Sequence, residues 1–249
     1  VAEDDDYESP FRDRDPIAND LAEQILTKGS IEILGQMPWS SNTTLLCDVD
    51  LDDHLVQAVY KPGRGERPLW DFPDGLYRRE VACYELAKVV GWDLVPPTVL
   101  IDGPVGPGSL QLFIPCDFEQ HYLTLNDEPR HQLAFQKLTA FDTVANSTDR
   151  KAGHVLLGHD DHIWAIDNGL SFHEEFKLRT VLWDFAGDPI PDEIIEDLVA
   201  LRENGLGAAL ETLLNDDEVQ AALDRTHVLI ANRRFPVDPS GRRWPWPLV

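Results

Sequence analysis

The chain has 249 residues, with 21 Lys and Arg against 45 Asp and Glu and a formal charge of −24. That length can bury a sizeable core as one large domain or two lobes; the charge repels nucleic acid, which excludes a nucleic-acid binder, and disfavours work on anionic lipid. Cys47, Cys83 and Cys116 are isolated, no apolar run approaches ~18 residues and no signal peptide is recognisable, so the expected setting is a reducing cytoplasm.

Residues 1–16 are charge-rich and almost free of aliphatic side chains, which predicts an extended or disordered acidic tail. Residues 17–27 carry helical spacing (Ile17, Leu21, Ile25, Leu26), and Gly29 stops them. Strands are predicted at 31–35, 43–49 and 55–60. The first ends on Gly35, and a polar loop containing Ser40, Ser41 and Asn42 joins it to the second. Such a loop suits a lid whose N–H groups face phosphates, and equally an ordinary hairpin. Lys61 terminates the third strand, and 62–73 is a Pro/Gly/Arg-rich loop. A helix follows at 75–87 with Glu80 and Glu85 on it, then strands at 95–101 and 109–115 ending near Phe113 and Ile114. After a polar linker at 116–130, residues 133–144 form an apolar helical run. Short strands at 155–157 and 163–166 flank a turn, and three amphipathic helices at 192–203, 206–214 and 217–231 precede a Pro/Arg/Trp-rich tail.

The stretch 141–172 organises the rest. It runs from the helix into Asn146-Ser147-Thr148-Asp149-Arg150, through a compact hairpin, to Asp167-Asn168-Gly169. Phosphoryl transfer needs one carboxylate facing the attacking hydroxyl and another holding the metal beside the phosphates, and otherwise mostly positioning. The hairpin is short enough for Asp149 and Asp167 to share one cleft. Each also has a plain structural reading, Asp149 as an Asx turn or helix cap and Asp167 as a hairpin-end residue before glycine.

The segments N-S-T-D-R-K-A-G-H and A-I-D-N-G resemble the catalytic and metal-binding loops of the phosphatidylinositol 3-/4-kinase-like (atypical kinase) group. More narrowly, from about Gly29 onward the chain is similar to an uncharacterised actinobacterial phosphatidylinositol-kinase-like family. The resemblance implies an α+β, two-lobed protein-kinase-like fold. Residues 17–115 would form a small antiparallel-sheet N-lobe, and 116–249 a mostly helical C-lobe. It implies an ATP-dependent phosphotransferase using Mg²⁺ or Mn²⁺. Asp149 and Lys61 would be catalytic, and Arg150 would pair with an acid to brace the loop. Lys61 and Glu80 (Glu85 the rival) would place the phosphates, with Gly35, Ser40, Ser41 and Asn42 over them. Backbone near Phe113 or Ile114 would bind the base, and Asp167 and His154 would hold the metal.

Two positions depart from the group's T-D-R-H-x-x-N pattern: Lys151 stands where histidine is usual, and His154 where a metal-binding asparagine is usual. An imidazole suits softer ions better than magnesium, so His154 implies a changed metal preference, a single-metal mechanism or loss of transfer. The acceptor is expected to be a hydroxyl of a protein or soluble small molecule rather than a membrane lipid. Lys177 and Arg179 are rare positive charges near the site, suited to an anionic substrate. The alternatives are a nucleotide-binding pseudokinase that regulates a partner, and a kinase-like AMP transferase.

Overall fold

A computed structural model describes residues 10–37 and 42–249. Helix α1 (Asn19–Lys28) leads into five antiparallel strands, β1 (Ser30–Gln36), β2 (Leu45–Leu51), β3 (His54–Pro62), β4 (Thr98–Gly103) and β5 (Gly106–Leu112). They lie in the order β1-β2-β3-β5-β4, and α2 (Leu76–Val90) connects β3 to β4. Two residues, Asp52 and Asp53, turn β2 into β3; Asp52 takes a left-handed φ of 54°, which aspartate tolerates better than most side chains. Beyond β5 come the short α3 (Tyr122–Leu125), α4 (Gln132–Ala145), a hairpin of β6 (Val155–Leu157) and β7 (Ile163–Ala165), α5 (Asp192–Asn204), α6 (Ala208–Glu211) and α7 (Asp216–Asn232).

Strand alternation sets the two faces of the large sheet. Cys47, Val49, Val56, Ala58, Tyr60, Leu110 and Leu112 point to one face, where Ala22, Ile25 and Leu26 of α1 cover them. Val59 and Lys61 therefore point to the other face. Helix α2 contributes Ala82, Cys83, Leu86 and Ala87 to the larger core, built from α4, α5 and α7. The helix bearing Glu80 is thus anchored in the helical half of the molecule while its polar edge reaches the sheet.

Several boundaries move for local reasons. Helix α1 starts at Asn19, leaving Ile17 outside it. The strand expected from Val95 starts at Thr98, because Pro96 and Pro97 have no N–H to give a ladder; Pro97 instead accepts from Leu112 N–H at 2.8 Å. Helix α2 runs to Val90 and closes on Gly91, whose φ of 73° lets its N–H reach the carbonyls of Ala87 and Lys88. The helix expected at 206–214 contracts to α6, and α7 opens with a capping box between Asn215 and Glu218.

Residues 10–16, expected as part of an extended or disordered tail, take no regular secondary structure and are held in place. The Phe11 ring stacks on Phe113 at 5.0 Å. Gln57 accepts from Arg12 N–H at 2.7 Å and donates to the Pro10 carbonyl at 2.9 Å, and Arg12 also pairs with Asp48. Residues 1–9, the rest of that tail, lie outside the described residues. No helix among the described residues is long and apolar enough to cross a membrane.

Candidate active site

Lys61 sits at the end of β3, where the strand reaches the gap between sheet and helices. Its Nζ bonds Glu80 Oε1 on α2 and, at 2.7 Å, Asp167 Oδ1 just after β7. Burial alone would make the ammonium easier to deprotonate, but the two carboxylates more than offset it and hold the Lys61 pKa above its usual value. Glu80 is buried, and its second oxygen accepts the Asn168 N–H at 2.9 Å. Glu85 faces elsewhere and meets Lys88 at 3.3 Å. Of the two glutamates on this helix, Glu80 joins Lys61. Gly169 permits that approach, since a Cβ there would stand 3.2 Å from Glu80 Oε1.

Asp167 adopts a left-handed backbone with φ of 57°. The charge of Lys61 is the chief reason its carboxyl pKa is driven far below the ordinary value. Its other oxygen lies 3.2 Å from His154 Nε2. His154 Nδ1 accepts the Lys151 N–H at 3.4 Å, so the proton sits on Nε2 and faces Asp167. Burial pushes the imidazole pKa down to about 4, and the ring is neutral at pH 7. Asp167 and His154 thus offer one hard oxygen and one nitrogen, the latter free to ligate only in the other tautomer. Among the described residues no three or more His, Cys, Asp or Glu side chains converge as a metal group. A metal here would take its remaining ligands from a substrate or water.

Asp149 stands 3.4 Å from Lys151 Nζ. Burial raises its carboxyl pKa, the charge of Asp167 adds to this, and Lys151 and Arg179 oppose it. It lines a cleft of about 1150 Å³ with Phe72 and Lys177. Asp149 feels the charge of Asp167, but Asp167 is not among the residues that line this cleft.

Arg150 is buried and does not line that cleft. Its guanidinium meets Asp142 at 3.0 Å, the Ile166 carbonyl at 2.6 Å and Asn168 Oδ1 at 2.5 Å. It braces the loops. Asp142, on α4 and wholly buried, also accepts from Ser147 Oγ at 2.8 Å and Thr180 Oγ1 at 3.2 Å. Asp142, Arg150, Asn168, Glu80, Lys61 and Asp167 form one polar chain across the sheet and the helices. Sequence reasoning missed Asp142 and Asn168; the only signal was a carboxylate inside an otherwise apolar helical run.

The remaining expected residues are less concentrated. Gly35 lies at a register shift in the exposed edge strand β1, with open space where a Cβ would go. Asn42 Oδ1 accepts the Arg67 N–H at 3.0 Å. Ser40 and Ser41 lie outside the described residues. At the expected base edge, Phe113 is already engaged: its N–H donates to Gln57 O and its carbonyl accepts from Arg14, both at 3.0 Å. Ile114 has no backbone partner among the described residues.

No family model matches the chain. Protein Rv2133c of Mycobacterium tuberculosis is 36% identical over 260 residues, spanning 90% of this chain and 94% of that protein. The solved structure of hydra Fam20 with sugar is similar over 84% of this chain and 86% of that one, with a TM-score of 0.51 at 14% identity. Helicobacter pylori proinflammatory kinase CtkA aligns over 84% of this chain and 94% of that one, with a TM-score of 0.49 at 10% identity. The five-stranded antiparallel sheet followed by helices is a kinase-like α+β fold.

Proposed function

The chain belongs to the family of mycobacterial protein Rv2133c, and from that premise and the geometry of the cleft we propose that it is an ATP-dependent phosphotransferase of the atypical, phosphatidylinositol 3-/4-kinase-like kind. The observation that carries the reading is Lys61, held between Glu80 of α2 and Asp167 of the loop after β7, with Asp149 in the same field. A structural lysine needs one carboxylate; an amine poised between two, at the junction of sheet and helices, suits the α/β-phosphates of a nucleotide. Residues 17–115 would cover the nucleotide and 116–249 would carry the acceptor side.

In this reading Glu80 fixes the Lys61 ammonium, and Asn168 N–H fixes Glu80. Asp149 accepts a hydrogen bond from the acceptor hydroxyl, and its raised pKa makes it a better proton acceptor there. Asp167 and His154 would hold a divalent cation, which supplies charge neutralisation at the phosphate oxygens. An Asp-plus-imidazole pair suits Mn²⁺ better than Mg²⁺. Ile114 would offer its free backbone to the base. The acceptor hydroxyl belongs to a protein or soluble small molecule in this proposal, because the charge of −24 opposes an anionic bilayer.

Product mass tests the reading. Incubation with ATP and Mn²⁺ or Mg²⁺ is expected to add a phosphate to the chain itself or to a hydroxyl acceptor, and Asp149→Asn is expected to stop it. An AMP-sized gain would replace phosphoryl transfer by adenylate transfer. Nucleotide binding without any adduct would favour the pseudokinase reading that His154 prompts.

A further inference from the structure

The tail after α7 is not a loose end. The Arg243 carbonyl accepts from Thr180 N–H at 3.2 Å and from Trp183 Nε1 at 2.8 Å. The Arg243 guanidinium lies 4.8 Å over the Phe176 ring. Farther along, the Leu248 carbonyl accepts from Ala152 N–H, inside the loop that carries Asp149, at 2.7 Å. Ahead of these anchors Asp238 holds Arg243 N–H at 2.9 Å, and Ser240 Oγ holds Arg242 N–H at 3.2 Å. The tail therefore forms a wall of the cleft that contains Asp149, and it brings Arg242 beside the loop bearing Lys177 and Arg179.

The partners of these cations separate them. Lys177 is committed to Asp71, its Nζ 2.7 Å from the carbonyl, and Arg243 is committed to Phe176 and Asp238. Arg179 and Arg242 are exposed, and neither guanidinium has a hydrogen bond or ion pair among the described residues. Yet the Arg179 backbone is pinned, donating to Ser147 O at 2.8 Å and accepting from Arg150 N–H at 3.1 Å. In a chain with 45 acids for 21 bases, two uncommitted guanidiniums on anchored backbone share one cleft with Asp149. Glu174 and Glu175 also line it, so its overall charge does not attract anions; only the paired guanidiniums do. Arginine's planar fork matches phosphate oxygens bidentately.

We propose that Arg179 and Arg242 form an anion subsite for the acceptor, so that the substrate class is a hydroxyl compound that already carries a phosphate group. The word acceptor rests on the phosphotransferase reading above; the anion subsite does not. The hydroxyl lies at Asp149 and the phosphate between the two guanidiniums, while Trp70, 96% exposed and lining the same cleft, offers an apolar face to the carbon skeleton. Such a phosphate can come from a soluble phosphorylated alcohol or from a phospholipid head group.

The test uses the full chain without nucleotide and reads the arginine Nε–H resonances by NMR. Glycerol 3-phosphate and glycerol are titrated as probes, alongside vesicles of phosphatidylinositol and of phosphatidylcholine. Glycerol 3-phosphate is expected to shift the resonances of Arg179 and Arg242 where glycerol does not. Its affinity is expected to fall at least roughly tenfold in Arg179→Gln/Arg242→Gln, whose exposed side chains make the fold indifferent to the change. A response only to phosphatidylinositol vesicles, lost in the same variant, supports the subsite and assigns the phosphate to a lipid. Binding of neither anionic probe, or binding that survives in the double variant, overturns the proposal. ATP calorimetry on the same samples separates the two claims, because absent ATP binding with Arg-dependent phosphate binding sinks the kinase reading and leaves the anion subsite.

Discussion

Asp142→Asn removes one charge from the interior while keeping the side chain's volume. The Asp142 carboxylate is fully buried, and the Arg150 guanidinium it faces at 3.0 Å has 1% side-chain exposure. After the substitution Arg150 keeps only neutral oxygen partners, the Ile166 carbonyl and Asn168 Oδ1. Removing one partner of such a pair costs about 3–5 kcal/mol, because the other charge is left buried without compensation. A typical domain has about 5–15 kcal/mol of stability, so the variant should be markedly weakened. Urea unfolding followed by far-UV circular dichroism measures the loss. The double variant Asp142→Leu/Arg150→Met is expected to recover only part of it: it removes the unpaired charge, but it leaves Ser147 Oγ, the Ile166 carbonyl and Asn168 Oδ1 without these buried partners. That double variant should still lose metal-dependent nucleotide binding, because nothing then holds Ile166 and Asn168 around Asp167. A loss below about 1 kcal/mol for Asp142→Asn would refute the buried-pair argument.

Three further outcomes follow from the same geometry. Glu80→Gln is expected to weaken ATP affinity at least roughly tenfold while Glu85→Gln leaves it unchanged, because only Glu80 meets Lys61; equal effects in calorimetry would contradict the geometry. Asp167→Gly removes the carboxylate at a left-handed position where other side chains cost about 1–2 kcal/mol. It should abolish metal binding and lower the unfolding midpoint, because the ion pair with Lys61 that depresses the Asp167 pKa outweighs the backbone strain relieved; an unchanged midpoint would count against that ion pair. His154 has a folded pKa of about 4 against an ordinary 6.5, so the unfolded chain binds the extra proton first as pH falls. Its contribution is complete above pH 6.5 and is lost as pH drops toward 4. With chelator present, His154→Asn should flatten the dependence of the melting temperature on pH in that window, and an unchanged slope would contradict it.

The order of the proposed site residues was legible in the sequence because each stands at the end of a periodic segment: Lys61 closes β3, Asp149 follows α4 and Asp167 follows β7. The choice between Glu80 and Glu85 was less secure, since both lie on one helix and only the rotation of α2 against its neighbours separates them. Asp142 was hidden for a related reason. It sits within an apolar run, and its partner Arg150 approaches only after Asn146 ends the helix in a left-handed turn. Composition gave an extended or disordered segment at residues 10–16 but not what holds it, because few aliphatics left no apolar pattern to follow. Their hold comes instead from one ring stack and from hydrogen bonds to Gln57 and Phe113, which no hydropathy pattern encodes. The C-terminal tail showed in the sequence only as Pro/Arg/Trp-rich, and its course along the Asp149 loop depends on the carbonyls of Arg243 and Leu248.

The most direct test of the account is ATP calorimetry with Mg²⁺, with Mn²⁺ and without metal, on the unmodified chain and on Asp167→Ala. The account predicts binding that strengthens with metal, more with Mn²⁺ than with Mg²⁺, and that loses its metal dependence in Asp167→Ala. No binding under any metal, or identical binding in the variant, would contradict it and leave Lys61, Glu80 and Asp167 as a structural ion cluster.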